Sequence, residues 1–510
     1  MEGSKEHMVM LPFMAQGHLI PFLGLAKRLQ QRFGFTLTIV STPLNVQYLR
    51  TTIAKDSTAS SQNSQIHLVE LPFNSSDHGL PPNTENTEVL SFSQVVNLFQ
   101  PSTALEAPFR SLVSEITVKD GKPPLCIISD VFTGWANDVA KSCGTVNVTF
   151  TTGGAYGTAA YVSLWQHLPH RLTGEQEFCL PGFPDSCRFH ISQLHQFLRN
   201  ADGTDPWSRF FQPQLSLSLG SFGWLCNTVA EIEPLGLDVL RKYTRLPIWC
   251  IGPLIPPRML STESSLGSGS GSRIIGKHTG REPGVSPEKC LEWLDMHSEK
   301  SVLYISFGSQ NSITTSQMMA LAMGLEDSGK PFIWAIRPPV ANNQRGEFKA
   351  EWLPQGFEER MTQTKQGLVV HKWAPQLEIL CHKSTGAFLS HCGWNSIMES
   401  LSQGLPIIGW PLAAEQGYNS KMLMEEMGVS IELTRGLQSI ITKEEVKRVI
   451  ETVMDKGGKG EEMKKKAAEI GELIRASVKK DGSIKGSSFK AIDDFVSALF
   501  STRGGVNFSK

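Results

Sequence analysis

One segment in the second half of the chain carries residue types suited to binding a phosphorylated ligand. Residues 373–416 read WAPQLEILCHKSTGAFLSHCGWNSIMESLSQGLPIIGWPLAAEQ. Within them, 387–390 predicts a strand, 391–393 a turn and 394–396 the first turn of a helix. Backbone N–H groups at a helix start, together with the positive end of the helix dipole, attract anions. The segment therefore predicts a phosphate site.

The polar side chains of this segment extend the same interpretation. Asn395 and Ser396 are residue types that favour a helix start, and His391 on the turn can donate a hydrogen bond to a phosphate oxygen. Glu399 lies along the same helix and can accept from paired hydroxyls such as those of a ribose. Trp373, just after a predicted strand, offers a flat face to a nucleobase. These side chains predict a nucleotide site.

A histidine and an aspartate in the first half could form a general base. His18 lies in a loop after the predicted strand 9–13, and Asp130 directly follows the predicted strand 125–129. At one edge of a parallel sheet, the carboxylate would hold one imidazole nitrogen and leave the other as the base. A lone histidine is more often structural, and Asp130 could instead cap a helix over 134–140.

Three other motifs have simpler interpretations. The octapeptide 271–278, GSRIIGKH, resembles a phosphate loop but ends in histidine and follows a Gly/Ser stretch, which favours a linker. The pairs Cys381-His382 and His391-Cys392 match no zinc spacing. Adjacent residues on an extended strand point to opposite faces, so in each pair one side chain is expected to pack in the core.

The elements that position these residues alternate between strand and helix. Short apolar runs separated by helix-length crossovers predict parallel sheets covered by helices on both faces. The fold class is therefore α/β, with two doubly wound Rossmann-like domains that face a cleft. The predicted boundaries are an N-terminal domain over 1–250, a linker and flexible loop over 251–285, a C-terminal domain over 286–482, and a C-terminal helix and tail over 483–510 that could pack back on the N-terminal domain.

Bulk properties exclude several classes of protein. The 510 residues carry a net charge of −1, which disfavours non-specific nucleic-acid binding. No apolar run is long enough to span a membrane, and the start MEGSKEH does not resemble a secretory signal. Nine widely spaced cysteines favour a reducing compartment. We expect a cytoplasmic monomer without a membrane span or a nucleic-acid partner.

The segment 373–416 resembles the signature segment of the plant UDP-dependent glycosyltransferases, family 1, which have the GT-B fold. The resemblance covers most of the chain, including Phe307-Gly308-Ser309 and Gln16-Gly17-His18, and is weakest over 150–300. An ordinary βαβ unit would explain the apolar residues of the segment, but not its polar residues in loops and helix starts.

The resemblance implies a role for each matching residue. Trp373 would stack on uracil, with Ala374 and Gln376 beside the base and ribose. Glu399 would hold the ribose hydroxyls. The diphosphate would be held by His391, Asn395, Ser396 and Ser309, and the sugar by Trp394, Glu415 and Gln416. Independently of the resemblance, Thr152 follows the predicted strand 146–150 and could contact the sugar. Glu415 departs from the aspartate common in the family, which shifts the carboxylate by about one bond length.

The implied activity is inverting transfer of glucose from UDP-glucose to a hydroxyl of a small lipophilic acceptor, such as a phenolic, flavonoid or terpenoid. His18, the base, would also contact the acceptor, and neither a cofactor nor a metal is expected. Four aromatic residues could line the acceptor pocket or belong to the core: Phe13, Phe132, Trp135 and Tyr156. A UDP-sugar epimerase or hydrolase on the same scaffold, and use of another UDP-sugar, are the alternatives.

Overall fold

The computed structural model describes most of the chain in nine ranges. They are 6–56, 65–90, 93–260, 284–338, 340–341, 344–345, 348–436, 438–480 and 485–505. The octapeptide 271–278, and most of the predicted linker over 251–285, lie outside these described residues.

Strands and helices alternate along the chain. The strands, numbered in chain order, are β1 His7–Leu11, β2 Thr36–Ser41, β3 Ile66–Glu70, β4 Cys126–Asp130, β5 Asn147–Thr151, β6 Glu177–Cys179, β7 Arg188–His190, β8 Gly223–Cys226, β9 Ile248–Cys250, β10 Val302–Ser306, β11 Phe332–Ile336, β12 Val340–Ala341, β13 Gln344–Arg345, β14 Gly367–His371, β15 Thr385–Ser390, β16 Ile407–Gly409 and β17 Ser430–Glu432. The α-helices are α1 Gln16–Phe33, α2 Pro43–Asp56, α3 Val96–Phe99, α4 Glu106–Asp120, α5 Ala136–Ser142, α6 Ala155–His167, α7 Gln196–Asn200, α8 Pro206–Ser218, α9 Pro234–Thr244, α10 Pro287–Asp295, α11 Thr315–Ser328, α12 Phe357–Thr364, α13 Gln376–Cys381, α14 Trp394–Ser402, α15 Gln416–Glu425, α16 Lys443–Met454, α17 Gly458–Ser477 and α18 Ser487–Gly505.

The chain divides into two compact units. Unit 1 comprises Met1–Phe189, Phe197–Leu254 and Ala476–Lys510, and unit 2 comprises His190–Gln196 and Ile255–Arg475. Each unit contains one large sheet whose strands run parallel, with helical crossovers between them. The predicted α/β class with doubly wound sheets is therefore confirmed.

The sheet of unit 1 has the strand order β3-β2-β1-β4-β5-β8-β9. The chain moves outward from β1 to β3, then returns to the centre at β4 and moves outward in the other direction. The order therefore reverses between β1 and β4, which pair with Leu11 beside Ser129. Ligands of open α/β sheets bind outside the carboxyl ends of the strands at such a switch point.

The last helix, α18, completes the core of unit 1. Ile492 and Phe495 are buried in the same apolar cluster as residues of β1, β2 and α1. The Phe495 ring lies 5.3 Å from that of Trp249, the central residue of β9. Arg32 of α1 forms an ion pair with Asp493 and lies over the Phe489 ring. Apolar burial and these charged contacts hold α18 on the sheet.

The sheet of unit 2 has the order β14-β11-β10-β15-β16-β17, and its switch point lies between β10 and β15. These two strands pair with Ser306 beside Ser390. The loops that follow them begin at Phe307 and His391. The topology thus brings the two motifs in this half of the chain to adjacent positions on one sheet edge.

One short segment of the first half packs with unit 2. Residues 190–196 lie inside the predicted N-terminal domain but belong to the second compact unit. Ser192 accepts a hydrogen bond from Arg435 at 2.7 Å. The Gln193 carbonyl lies so close to Gly417 of α15 that a Cβ there would be 2.4 Å from the oxygen. The sequence boundary misses this segment because such contacts join residues far apart in the chain.

All nine cysteines are free thiols. Of the helices in the described ranges, none combines the length and apolar character needed to cross a lipid bilayer.

Candidate active site

The side chains of His18 and Asp130 meet at the switch point of unit 1. Asp130 is the last residue of β4, is fully buried, and lies with Oδ2 2.6 Å from Nδ1 of His18. About a fifth of the His18 side chain, 21%, is exposed. His18 lies in the first turn of α1, not in the loop before it as the sequence analysis expected. The helix begins earlier because the Ala15 carbonyl accepts from the N–H groups of His18 and Leu19.

The surroundings of Asp130 select one tautomer of His18. Oδ1 of Asp130 accepts from the N–H of Phe132 at 3.1 Å, so the other oxygen, Oδ2, faces the imidazole. An ionised carboxylate only accepts hydrogen bonds, so Nδ1 carries the proton and Nε2 is the basic nitrogen. Thr152, just after β5, places its hydroxyl 3.4 Å from the same Nδ1. Thr152 is thus located beside the His18–Asp130 pair.

Aromatic rings border the imidazole of His18. The ring centroid of Phe13 is 5.8 Å away and that of Phe132 is 5.5 Å away. Phe99 packs on both of these rings, and Phe211 packs on Phe132. The exposed part of His18 therefore opens beside apolar surface.

Trp135 and Tyr156 have the surroundings of core residues. Trp135 packs against Phe109 of α4, and Tyr156 packs against Phe183. Both are nearly inaccessible to solvent. Phe13 is equally buried, at 1% exposed, so of these four candidate rings only Phe132 is both beside the histidine and partly exposed.

In unit 2, the predicted strand, turn and helix are present in the predicted order. Strand β15 ends at Ser390, Cys392 adopts a left-handed backbone conformation, and α14 begins at Trp394 after Gly393 as N-cap. Asn395 and Ser396 therefore lie inside the first turn, and neither is the cap. A glycine cap has no side chain to occupy the first N–H groups of the helix.

The imidazole of His391 is enclosed between two glycines. A Cβ at Gly308 would lie 2.6 Å from Nε2 of His391, and a Cβ at Gly393 would lie 2.4 Å from the same atom. Burial, followed by the positive charge of Arg337, lowers the pKa of His391 to about 4. His391 is therefore neutral near pH 7 and can act as a hydrogen-bond donor, but not as a cation.

Arg337, directly after β11, organises the loop that follows β10. Its guanidinium donates to the backbone carbonyls of Ser309 and Asn311. Trp373 and Ala374, which follow β14, are partly exposed, and the Trp373 carbonyl accepts from the N–H of Gly284. Hydrogen bonds to backbone carbonyls therefore stabilise both the loop after β10 and the loop after β14.

Glu399 is held by an amide from a neighbouring helix. Nε2 of Gln376, the first residue of α13, donates to Oε2 of Glu399 at 2.6 Å and to the hydroxyl of Ser396 at 3.2 Å. Oε1 of Gln376 accepts from the phenol of Tyr304 at 3.2 Å. Burial raises the pKa of Glu399 to about 7, and the Gln376 bond opposes that rise.

Glu415 and Gln416 offer opposite hydrogen-bonding character. Gln416 is 8% exposed, and its Oε1 accepts from the N–H groups of Leu412 and Ala413, each at 2.9 Å. Both lone pairs are then used, so Gln416 presents only its NH₂ donors. Glu415 is an acceptor, and Asn419 links it to the turn after β15, with Nδ2 3.5 Å from Oε1 of Glu415 and 3.0 Å from the Cys392 carbonyl.

Comparisons with known proteins identify the family of this chain. The family model described as "Glycosyltransferase, N-terminal domain" matches residues 5–256, and that described as "UDP-glucoronosyl and UDP-glucosyl transferase" matches residues 276–469. The chain is 44% identical to crocetin glucosyltransferase 3 of Crocus sativus, covering 96% of this chain and 99% of the relative. It is 41% identical to UDP-glycosyltransferase 92A1 of Arabidopsis thaliana, covering 96% of each.

The chain belongs to the plant UDP-dependent glycosyltransferases. A crystal structure of a Glycyrrhiza uralensis member, complexed with glycyrrhetinic acid 3-O-monoglucuronide, matches with a TM-score of 0.79 and 26% identity, covering 98% of this chain and 96% of that one. The resemblance read from the sequence is therefore confirmed, and so is the GT-B fold class.

Three residues that organise the site of this glycosyltransferase were not predicted from its sequence. Arg337 could have been found, because a charge that ends the apolar run PFIWAIR at a strand end indicates a role at that sheet edge. Asn419 lies one helical turn after Glu415, the spacing at which helical side chains meet. Nothing in the sequence indicated a role for Tyr304 in the site, since a tyrosine inside a buried strand is normally a core residue.

Proposed function

We propose that this glycosyltransferase transfers glucose from UDP-glucose to a hydroxyl of a small lipophilic acceptor, with inversion at the anomeric carbon. The observation that carries the proposal is the 2.6 Å contact between a buried aspartate and a partly exposed histidine at a switch point. An alcohol or phenol is a weak nucleophile until it loses its proton, and a histidine base with an orienting carboxylate supplies that step.

The reaction is a single displacement. Nε2 of His18 takes the proton of the acceptor hydroxyl as its oxygen forms a bond to the anomeric carbon. The bond from that carbon to the diphosphate oxygen breaks, and UDP leaves with the electron pair. Asp130 stabilises the imidazolium that forms, as the third group of a base assembly does in other enzymes.

The donor would be held by unit 2. Trp373 would stack on uracil and Glu399 would accept from the ribose hydroxyls. The N–H groups at the start of α14 and the neutral imidazole of His391 would donate to the diphosphate, which favours departure of UDP without a metal. Trp394, with Asn395 and Ser309, would complete the diphosphate and sugar contacts.

Glucose is the proposed sugar because, of the two polar residues proposed to contact it, Glu415 accepts hydrogen bonds and Gln416 donates them. Glu415 would accept from two neighbouring hydroxyls, and the NH₂ of Gln416 would donate to a third oxygen. A Crocus sativus relative is named a glucosyltransferase, which supports this choice. A carboxylate at C6, as in glucuronate, would meet the negative charge of Glu415.

The acceptor would lie against Phe132, which is partly exposed, with its hydroxyl at His18. Apolar rings beside a base favour a lipophilic acceptor, since burial of its apolar surface supplies the binding energy.

The test is an acceptor panel of phenols, flavonoids and terpenoid alcohols with UDP-glucose, read by product mass. We expect an added hexose on at least one acceptor and UDP release that depends on that acceptor. UDP release or isomerised UDP-sugar without any acceptor would instead indicate a hydrolase or an epimerase.

A further inference from the structure

A buried tyrosine lies beneath the proposed ribose contact in unit 2. Tyr304 is in the middle of β10, is 1% exposed, and stacks on Phe388 of β15 with ring centroids 4.9 Å apart. These contacts fix the ring. Its hydroxyl points to the start of α13, where it donates to Oε1 of Gln376 at 3.2 Å.

This hydrogen bond determines which end of the Gln376 amide faces Glu399. With Oε1 held by the phenol, Nε2 is directed to Glu399 at 2.6 Å and to Ser396 at 3.2 Å. An amide rotated by 180° would direct Oε1 at the carboxylate, where two acceptors would face each other. Only the observed orientation favours the charged carboxylate.

Two titratable groups in the described part of the chain interact electrostatically with Glu399, and both are neutral. They are the phenol of Tyr304, on β10, and the thiol of Cys381, on α13. Burial raises the pKa of the Cys381 thiol to about 12 and raises that of Tyr304 above its usual value. Near pH 7, the charge of Glu399 therefore depends on its burial and on the Gln376 hydrogen bond.

We propose that Tyr304 is a positioning residue for donor binding, which acts through the Gln376 amide to keep Glu399 an ionised acceptor for the ribose hydroxyls. The inference rests on the proposed donor site. It predicts that a single hydroxyl in the sheet core controls the pH range over which this enzyme binds UDP.

The test removes only that hydroxyl. UDP affinity of wild type and Tyr304→Phe is measured by titration calorimetry from about pH 6 to about pH 9. Wild-type affinity is expected to fall below about pH 7, as Glu399 is protonated. In Tyr304→Phe that fall begins at higher pH, so UDP binds about three- to five-fold more weakly at pH 7. The two proteins bind alike at about pH 9, where Glu399 is ionised in both.

A double mutant distinguishes the effect of Tyr304 through the Gln376 amide, which we call the relay, from a role of the Tyr304 ring in packing alone. If Tyr304 acts through Gln376, Tyr304→Phe adds no further loss of UDP affinity in a Gln376→Ala background. Tyr243→Phe removes a hydroxyl that contacts His167 in unit 1, and it serves as the matched control with unchanged UDP binding. Thermal unfolding of all variants reports whether each is folded.

Two outcomes overturn the relay alone: a pH-independent loss in Tyr304→Phe, or losses that add in the double mutant. A Glu399→Gln variant tests the underlying donor site separately. If that variant binds UDP like wild type at every pH, the proposed ribose contact is wrong, and the relay that depends on it is wrong as well.

Discussion

Replacing Asp130 by asparagine tests the proposed base with the smallest change in shape. The carboxylate is fully buried, with one oxygen accepting from the N–H of Phe132 and the other facing Nδ1 of His18. Asparagine has only one acceptor oxygen, so it can satisfy one of these partners. If its oxygen keeps the Phe132 bond, its NH₂ faces Nδ1, and the proton of the imidazole moves to Nε2.

The expected fall in kcat of Asp130→Asn follows from these two contacts. Restoring the productive tautomer requires the asparagine to turn its NH₂ toward the Phe132 N–H, leaving a buried donor unpaired at a cost of about 1–3 kcal/mol. Loss of the carboxylate charge removes a charge-assisted bond to the imidazolium, about 1.5–3 kcal/mol. Together we expect kcat to fall by about 10²–10⁴, since each 1.4 kcal/mol is about ten-fold.

The assay is steady-state turnover with an aliphatic alcohol acceptor, together with UDP affinity and thermal unfolding. UDP affinity should be unchanged because the substituted residue lies in unit 1 and the proposed contacts to UDP lie in unit 2. Asp138→Asn is the matched control. Asp138 is an exposed residue of α5 with a 3.9 Å contact to Lys141, so turnover of this variant should match wild type.

Turnover of Asp130→Asn within a few-fold of wild type, in a folded protein, would refute the orienting role. A drop in turnover that is matched by a loss of UDP binding would also refute it, because it would show a wider disturbance.

Three further predictions concern the same reaction. His18→Ala should lower turnover by about 10²–10⁴, and less for acidic phenols that are already partly ionised; near-normal turnover of an aliphatic alcohol would contradict the assignment. Chelation by EDTA should leave activity largely intact, and activity restored only by magnesium or manganese would contradict a metal-free departure of UDP. With equal donor concentrations and one acceptor, UDP-glucose should outcompete UDP-galactose, UDP-xylose and UDP-glucuronate; a glucuronide as main product, identified by mass, would contradict the charge argument at Glu415.

The fold class and the location of the polar residues followed from local patterns. Buried parallel strands are continuous apolar runs, so their carboxyl ends are visible in the sequence, as at Asp130 and His391. The order of strands in each sheet is not visible in this way. That strand order nevertheless brings Asp130 to His18, because β1 and β4 are far apart in the chain and become neighbours in the sheet through a crossover.

Side-chain orientation could not be predicted from residue type. A glutamine amide such as that of Gln416 can by its residue type both donate and accept, but here two backbone N–H groups occupy its oxygen. The first turn of α14 lies at 394–396 as predicted, but its N-cap is Gly393, which the sequence did not indicate. Both features depend on the backbone geometry of a turn. Many residue types are compatible with that geometry, so residue type alone does not predict it.

The place of α18 in the core of unit 1 has a consequence for biosynthesis. Residues up to Leu254 leave the ribosome first, yet the apolar strip that Ile492, Phe495 and Leu499 cover stays open until α18 has been made. Roughly 230 residues lie between these parts, which is about 10–50 s of translation. During that interval the nascent first unit exposes apolar surface that chaperones bind, so its folding is completed after synthesis of the second unit and not in the order of the chain.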